Sequence, residues 1–226
     1  MFGKQSLGRM GAGVMVWALA AACSAPAPAT QAAQADPAAT ASTAPTARAT
    51  DALAATTPAE ALAVLPACTG SLPPTPAQTE GPYYTSDTPE RESLLEPGMS
   101  GTPLIVTGYV LTTDCRPIVN ALLDFWQADA AGAYDNTGYR LRGHEFSDAA
   151  GRYRLETILP GLYPGRTRHI HVKVQAPGQP ALTTQLYFPD EPNNQRDGIF
   201  NPDLIVTLDQ TSSGPVATFN FVLSVP

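Results

Sequence analysis

Residues 147–188 read SDAAGRYRLETILPGLYPGRTRHIHVKVQAPGQPALTTQLYF. Three short β-rich runs stand out: Tyr153–Leu155, His169–Val174 and Leu182–Phe188. Turn signals separate them: Asp148-Ala149-Ala150-Gly151, Pro160-Gly161 and Pro177-Gly178. Gly and Pro fix the backbone of such turns, and β-branched or aromatic residues fill the strands between them. The same texture extends in both directions. Leu104–Leu111 and Ala121–Trp126 precede the stretch, and Leu204–Leu208 and Ala217–Val222 follow it. No segment shows sustained helical periodicity. The pattern predicts an all-β fold, a single β-sandwich over residues 67–226.

The chain has 226 residues with Pro (23) and Gly (18) unevenly spread, and a formal net charge of −7. An acidic surface repels nucleic acid and anionic membranes, so neither is an expected partner. With only 3 His, a metal site built from more than three imidazoles of one chain is excluded.

The N-terminus reads as an export signal over residues 1–23. Lys4 and Arg9 give it a positive start, and an apolar stretch from Gly11 to Ala22 ends at Cys23. That span suits a signal sequence better than a membrane-crossing helix. LAAACS resembles a bacterial lipoprotein signal, with Cys23 as the lipidated residue and Ser24 directing it to the outer membrane. Cleavage near Ala22, giving a periplasmic protein, is the alternative. Residues 24–66 are mostly Ala, Pro and Thr without aromatics. Such a segment cannot bury enough apolar surface to offset its ordering entropy and reads as a flexible tether. Thr56–Leu65 inside it carries a helix-start pattern, with Thr57 as cap and Pro58 next. In an exported chain Cys68 and Cys115 would favour a disulfide. Two free thiols are the other possibility. No C-x-x-C pair suggests a zinc ribbon.

Chemistry concentrates around Arg168–Val174. On a strand, side chains alternate between faces, so His169 and His171 point together while Ile170 and Val172 point into apolar packing. Two imidazoles on one face can share a metal ion, although a chance pair is common. Nearby turns offer tyrosines: Tyr163 in LPGLYPGR and Tyr134 in WQADAAGAYDN. A loop tyrosine is often only a surface residue. As a phenolate it is a hard oxygen donor suited to a ferric ion, and ligation deprotonates it far below its free pKa of about 10.

Several motifs, taken in order, resemble the intradiol ring-cleavage dioxygenases, the family of catechol 1,2-dioxygenase and the β subunit of protocatechuate 3,4-dioxygenase. They are QTEGPYY (Gln78–Tyr84), DFWQADAAGAY (Asp124–Tyr134), SDAAGRYRLETILPGLYPGR (Ser147–Arg166) and RTRHIHVKVQAPGQPALTTQLYF (Arg166–Phe188). The resemblance implies an Fe(3+) cofactor held by Tyr134, Tyr163, His169 and His171. It also implies cleavage of a catechol-type ring by O2 to a cis,cis-muconate-type diacid. Arg166 and Gln185 then match residues beside the substrate, and Tyr163 doubles as a base that leaves the metal. His144 matches no ligand and reads as a surface or supporting residue. The sequence departs from the family in three places. Only Pro164 to Arg168 separates Tyr163 from His169. Thr167 and Arg168 replace the usual Pro and small residue. The helical dimerisation segment of catechol 1,2-dioxygenases has no counterpart in the Ala/Pro-rich N-terminus, so the motifs assign no oligomeric state. Nor do they encode ring substituents, which depend on loops 135–146 and 190–199.

Other classes stay open on the residues alone. A non-catalytic extracytoplasmic binding module would use the same sandwich. A zinc hydrolase would need a carboxylate near the His pair, and none is close in sequence. A structural lipoprotein could keep the four residues as a relic.

Overall fold

The computed structural model describes Cys68 and residues 70–225. The signal segment with Cys23, the tether and the Thr56–Leu65 helix lie outside the described residues. Within them the chain forms strands β1 (Pro103–Thr112), β2 (Leu122–Trp126), β3 (Arg142–Phe146), β4 (Arg152–Ile158), β5 (His169–Gln175) and β6 (Leu182–Tyr187). A short 3₁₀ turn (Pro202–Leu204) follows, then β7 (Thr207–Thr211), β8 (Gly214–Thr218) and β9 (Phe221–Leu223). They make a five-stranded sheet in the order β4-β1-β8-β7, with β9 also on β1, and a four-stranded sheet in the order β3-β2-β5-β6.

The two sheets share one apolar core. Val106, Val110, Leu155 and Phe221 from the first meet Leu123, Phe125, Ile170, Val172, Val174 and Leu186 from the second, all fully buried. Each such side chain contributes roughly 1.5–3 kcal/mol on leaving water. Alternation does the sorting. On β5 the core takes Ile170, Val172 and Val174 and leaves His169, His171 and Lys173 on the opposite face.

Three details differ from the runs expected above. RGHEF forms β3 although it lacks β-branched residues. It pairs along its whole length with β2, from Leu122↔Phe146 to Trp126↔Arg142, so partner pairing overrides weak local preference. In the run Leu204–Leu208 the first residue belongs to the 3₁₀ turn instead, because Pro202 starts it and the Asn201 side chain caps it by accepting from Asp203 N–H. The run Ala217–Val222 splits into β8 and β9. Both lie parallel to β1 in one continuous register, Val106↔Ala217 and Leu111↔Val222. Between them the Asn220 side chain accepts from Tyr109 N–H at 2.9 Å, in place of a backbone carbonyl.

The segment before β1 acts as a strap. Its backbone bonds Thr113 O through Leu72 N–H, Val222 O through Thr75 N–H and Thr183 O through Gln78 N–H. It then crosses the outward face of the four-stranded sheet and joins β3 and β4, with Arg91 N–H to His144 O and Leu94 N–H to Glu156 O. At its start, Cys68 and Cys115 form a disulfide that ties the strap to the turn after β1.

Candidate metal centre

Strand register assembles the site. Arg142, Trp126, His171 and Gln185 lie side by side across β3, β2, β5 and β6. A second row, one pleat away, holds His144, Asp124, Lys173 and Thr183. Both rows face away from the core and are covered by the strap and by the loops that carry Tyr134 and Tyr163.

His169 and His171 are 4% and 3% exposed. Their Nε2 atoms stand 3.2 Å apart, and Tyr134 Oη lies 3.2 Å from His169 Nε2. His169 Nδ1–H donates to the Thr167 carbonyl at 2.6 Å, which turns its Nε2 lone pair toward this point. Trp126 stacks on the His171 ring, with centroids 4.8 Å apart and planes within 9°. Gly81 of the strap lies close to the same ring. A side chain there would touch the His171 ring, its Cβ lying 3.4 Å from Cε1.

Tyr163 reaches the cluster from the loop between β4 and β5. Its ring meets Tyr134 edge-on at 5.9 Å. Its Oη lies 2.7 Å from that of Tyr83, whose ring stacks on Tyr134 at 4.6 Å. The structure thus brings His169, His171 and Tyr134 into direct contact and places Tyr163 beside them through Tyr83. The two tyrosine loops interlock, since Gly161 N–H donates to the Asp129 carbonyl at 2.8 Å.

Burial governs the electrostatics. It lowers His169 to about 4, with the nearby Arg166 charge adding to the effect and the Thr167 hydrogen bond opposing it. It pushes His171 well below the usual imidazole range, helped by His169, Arg166 and Arg142. The Tyr134 phenol is pushed above its usual range by burial, with Arg166 and Arg142 pulling it back. These are neutral imidazoles with free lone pairs and a phenol that resists ionisation until a cation arrives. A metal ion inverts that balance.

The donor set fits a hard, multivalent metal. Two nitrogens each about 2.1 Å from one ion and at a right angle are about 3 Å apart, the separation of the two Nε2 atoms. Among the described residues no three His, Cys, Asp or Glu side chains gather around one point. The oxygens beside the imidazoles are therefore phenolic.

Arg166 is held on two sides. Nε donates to Asp197 Oδ2 at 2.8 Å and Nη2 to Gln185 Oε1 at 2.6 Å. Gln185 Nε2 in turn donates to the Thr79 carbonyl of the strap at 2.9 Å. The neighbouring Arg168 pairs with Glu191 and donates to the Pro160 carbonyl. His144 is half-buried on β3, with Nδ1 3.1 Å from Thr88 Oγ1, which donates to Asp124 at 2.8 Å. Tyr84 Oη donates to the other Asp124 oxygen at 2.9 Å, and Lys173 Nζ sits 3.3 Å above the Tyr84 ring. This network pins the strap to the sheet beside the site. Tyr83, Trp126 and Asp197 were not singled out by sequence reasoning. Tyr83 lay in a quoted motif, QTEGPYY, whereas Asp197 sits in a loop with no local signal.

Comparison with known proteins identifies the family. The family model described as Dioxygenase matches residues 79–225. Hydroxyquinol 1,2-dioxygenase of Rhizobium sp. (strain MTP-10005) is 30% identical over 147 residues, covering 53% of this chain and 50% of that protein. The protocatechuate 3,4-dioxygenase beta chain of Burkholderia cepacia is 33% identical over 148 residues, covering 54% and 63%. The chain thus spans only about half to three-fifths of the length of these relatives. Among solved structures, the dioxygenase domain of a dioxygenase carbohydrate-binding protein fusion from Streptomyces sp. SirexAA-E is 56% identical. It superposes with a TM-score of 0.67, covering 68% of this chain and 100% of that one. 3-Chlorocatechol 1,2-dioxygenase from Rhodococcus opacus 1CP is 30% identical with a TM-score of 0.62, covering 67% and 73%. Matched over most of its described residues by the family model, and carrying paired imidazoles beside two loop tyrosines, the chain belongs to the intradiol ring-cleavage dioxygenases.

Proposed function

We propose that Tyr134, Tyr163, His169 and His171 hold one Fe(3+) ion and that the chain cleaves a catechol-type ring with O2 between its two hydroxyl-bearing carbons. The product is a cis,cis-muconate-type diacid. Both oxygen atoms of dioxygen end in the two carboxyl groups, so the equation balances without another reductant. The observation that carries this reading is the convergence of His169, His171 and Tyr134 at 3.2 Å spacings beside Tyr163.

When bound, the ferric ion supplies Lewis acidity that anchors the substrate oxygens and draws electron density from the ring. The remaining tasks belong to side chains. His169 and His171 donate neutral lone pairs, with His169 aimed by Thr167. Tyr163 takes a substrate proton at Oη and, as a phenol, stays within hydrogen-bond reach of Tyr83 at 2.7 Å. Arg166 has Nε and Nη2 committed to Asp197 and Gln185, which leaves its Nη1 edge to face negative charge developing on the ring. Gln185 is fixed by the Thr79 carbonyl and orients the substrate.

We also infer that the dioxygenase-like domain spans 67–226 and that the chain works outside the cytoplasm, tethered or free in the periplasm. The Cys68–Cys115 bridge supports this, because disulfides persist in oxidising compartments.

The test is direct. Purified protein loaded with ferric iron should be burgundy from phenolate charge transfer, show a high-spin Fe(III) EPR signal and consume O2 with substituted catechols. Tyr163→Phe should weaken the colour and slow substrate binding. A folded protein that takes up no iron, or that takes it up without O2 consumption on any catechol, rejects the assignment in favour of a binding module.

A further inference from the structure

Asp197 sits in the loop between β6 and the 3₁₀ turn, and its side chain is 2% exposed. A single oxygen, Oδ2, accepts from Arg166 Nε at 2.8 Å and from the Thr167 backbone N–H at 3.0 Å. The other, Oδ1, accepts from Ile199 N–H at 3.1 Å. Thr167 is the residue whose carbonyl aims His169, through the 2.6 Å bond from Nδ1–H. The loop has a separate anchor on the same turn. Thr167 Oγ1 donates to Asn194 Oδ1 at 2.6 Å, and Asn194 Nδ2 donates to the Phe188 carbonyl at 2.9 Å. Asn194 carries no charge and does not reach Arg166.

We propose that Asp197 is a positioning residue that sets, through one carboxylate oxygen, both the direction of the Arg166 guanidinium and the turn that aims His169. The proposal rests on the functional reading above. Its physical basis is charge-assisted hydrogen bonding at a part-buried pair, where a carboxylate holds a guanidinium more firmly than a neutral acceptor does. The other committed nitrogen of Arg166, Nη2, has only neutral acceptors, Gln185 Oε1 at 2.6 Å and Tyr187 Oη at 3.4 Å. Without the Asp197 charge, only these neutral acceptors oppose rotation of the fork about its stem. Removing one member of a buried pair also leaves the other charge uncompensated. Supporting groups of this kind typically change activity or metal affinity by about tenfold to a hundredfold.

The experiment uses Asp197→Asn, which keeps shape and an acceptor oxygen but removes the charge, and Asp197→Glu as the conservative variant. In the iron-loaded protein, Asp197→Asn should keep its iron and its charge-transfer colour while kcat falls about tenfold or more, with Asp197→Glu recovering part of it. In a cycle with Arg166→Gln, the two losses of kcat should combine to clearly less than their product. In the metal-free protein, the Arg166 Nε–H proton should exchange with solvent faster in Asp197→Asn than in wild type by NMR. Additive losses in the cycle, a kcat within twofold of wild type, or unchanged Nε–H exchange would each overturn the proposal. The NMR arm needs neither iron nor turnover. Wild-type protein without ferric colour would therefore reject the functional reading and still leave the Asp197 geometry decided.

Discussion

A Cβ placed on Gly132 would lie 2.1 Å from the carbonyl oxygen of Leu162, the residue before Tyr163. The loop that carries Tyr134 and the loop that carries Tyr163 are thus in backbone contact, and Gly132 also holds a left-handed φ of +84°. Gly132→Ala should push the loops apart and displace both tyrosines. The expected outcome is a protein destabilised by about 1–3 kcal/mol, with reduced iron uptake and faded colour. Gly178→Ala is the comparison. That site has a similar φ of +72° but open space around it, so a stability loss of similar origin should leave iron uptake intact. Thermal melts and iron content of the two variants check this.

Tyr83 Oη and Tyr163 Oη are 2.7 Å apart. If Tyr163 is a metal-bound phenolate it can only accept, so Tyr83 donates. That bond lowers the energy of the phenolate electrons. Tyr83→Phe keeps the stacking on Tyr134 and loses the donor, so the charge-transfer band should move to longer wavelength. Stability should fall by only about 1 kcal/mol. Absorption spectroscopy of the iron-loaded variant reads the shift, and a band at the wild-type position would show that Tyr83 does not donate to a ligand.

Glu145 is 4% exposed, and its Oε1 lacks a protein partner. Burial raises its pKa to about 7, against 4.5 for the free group. The folded state therefore prefers the protonated form. Stability is full below the unfolded value and is lost as pH rises from about 4.5 to about 7, after which the loss stays constant. The shift corresponds to about 3 kcal/mol. Glu145→Gln should match wild type near pH 4 and exceed it by up to about 3 kcal/mol at pH 8. Denaturant titrations at the two pH values test the sign; a variant weaker than wild type at pH 8 contradicts it.

The Cys68–Cys115 disulfide closes a loop with a sequence separation of 47. The chain-entropy relation gives about 4 kcal/mol for a loop of that size. Replacing both cysteines by Ser should lower the melting temperature by several degrees. Because the strap leads from Cys68 to Gly81 and Tyr83, iron should also leave faster during chelator challenge. An unchanged melt in the double variant would show that the bridge adds nothing to the fold.

Much of the architecture was legible from residues. Alternation in RHIHVKV is enough to separate the two histidines from the apolar Ile170 and Val172, because strand periodicity is a local property. The turn residues around Tyr134 and Tyr163 place these side chains in loops for the same reason. β3 was not legible. Arg142-Gly143-His144-Glu145-Phe146 has no strand preference of its own and becomes a strand only because β2 offers an edge to pair with. The split of β8 from β9 likewise depends on Gly108, where a side chain would collide with the Phe219 carbonyl at 1.8 Å.

The sequence by itself determined the all-β class, which residues alternate into the core, and the four candidate donors with Arg166 and Gln185. The first two are consequences of local period and turn chemistry, and the candidate site residues are what the motif resemblance implies. Only the tertiary structure decided that Tyr83 joins Tyr134 to Tyr163, that Trp126 stacks on His171, and that Asp197 grips Arg166. Such contacts link residues far apart in the chain. They depend on strand register and loop crossing, which no single segment specifies until the whole sheet is paired.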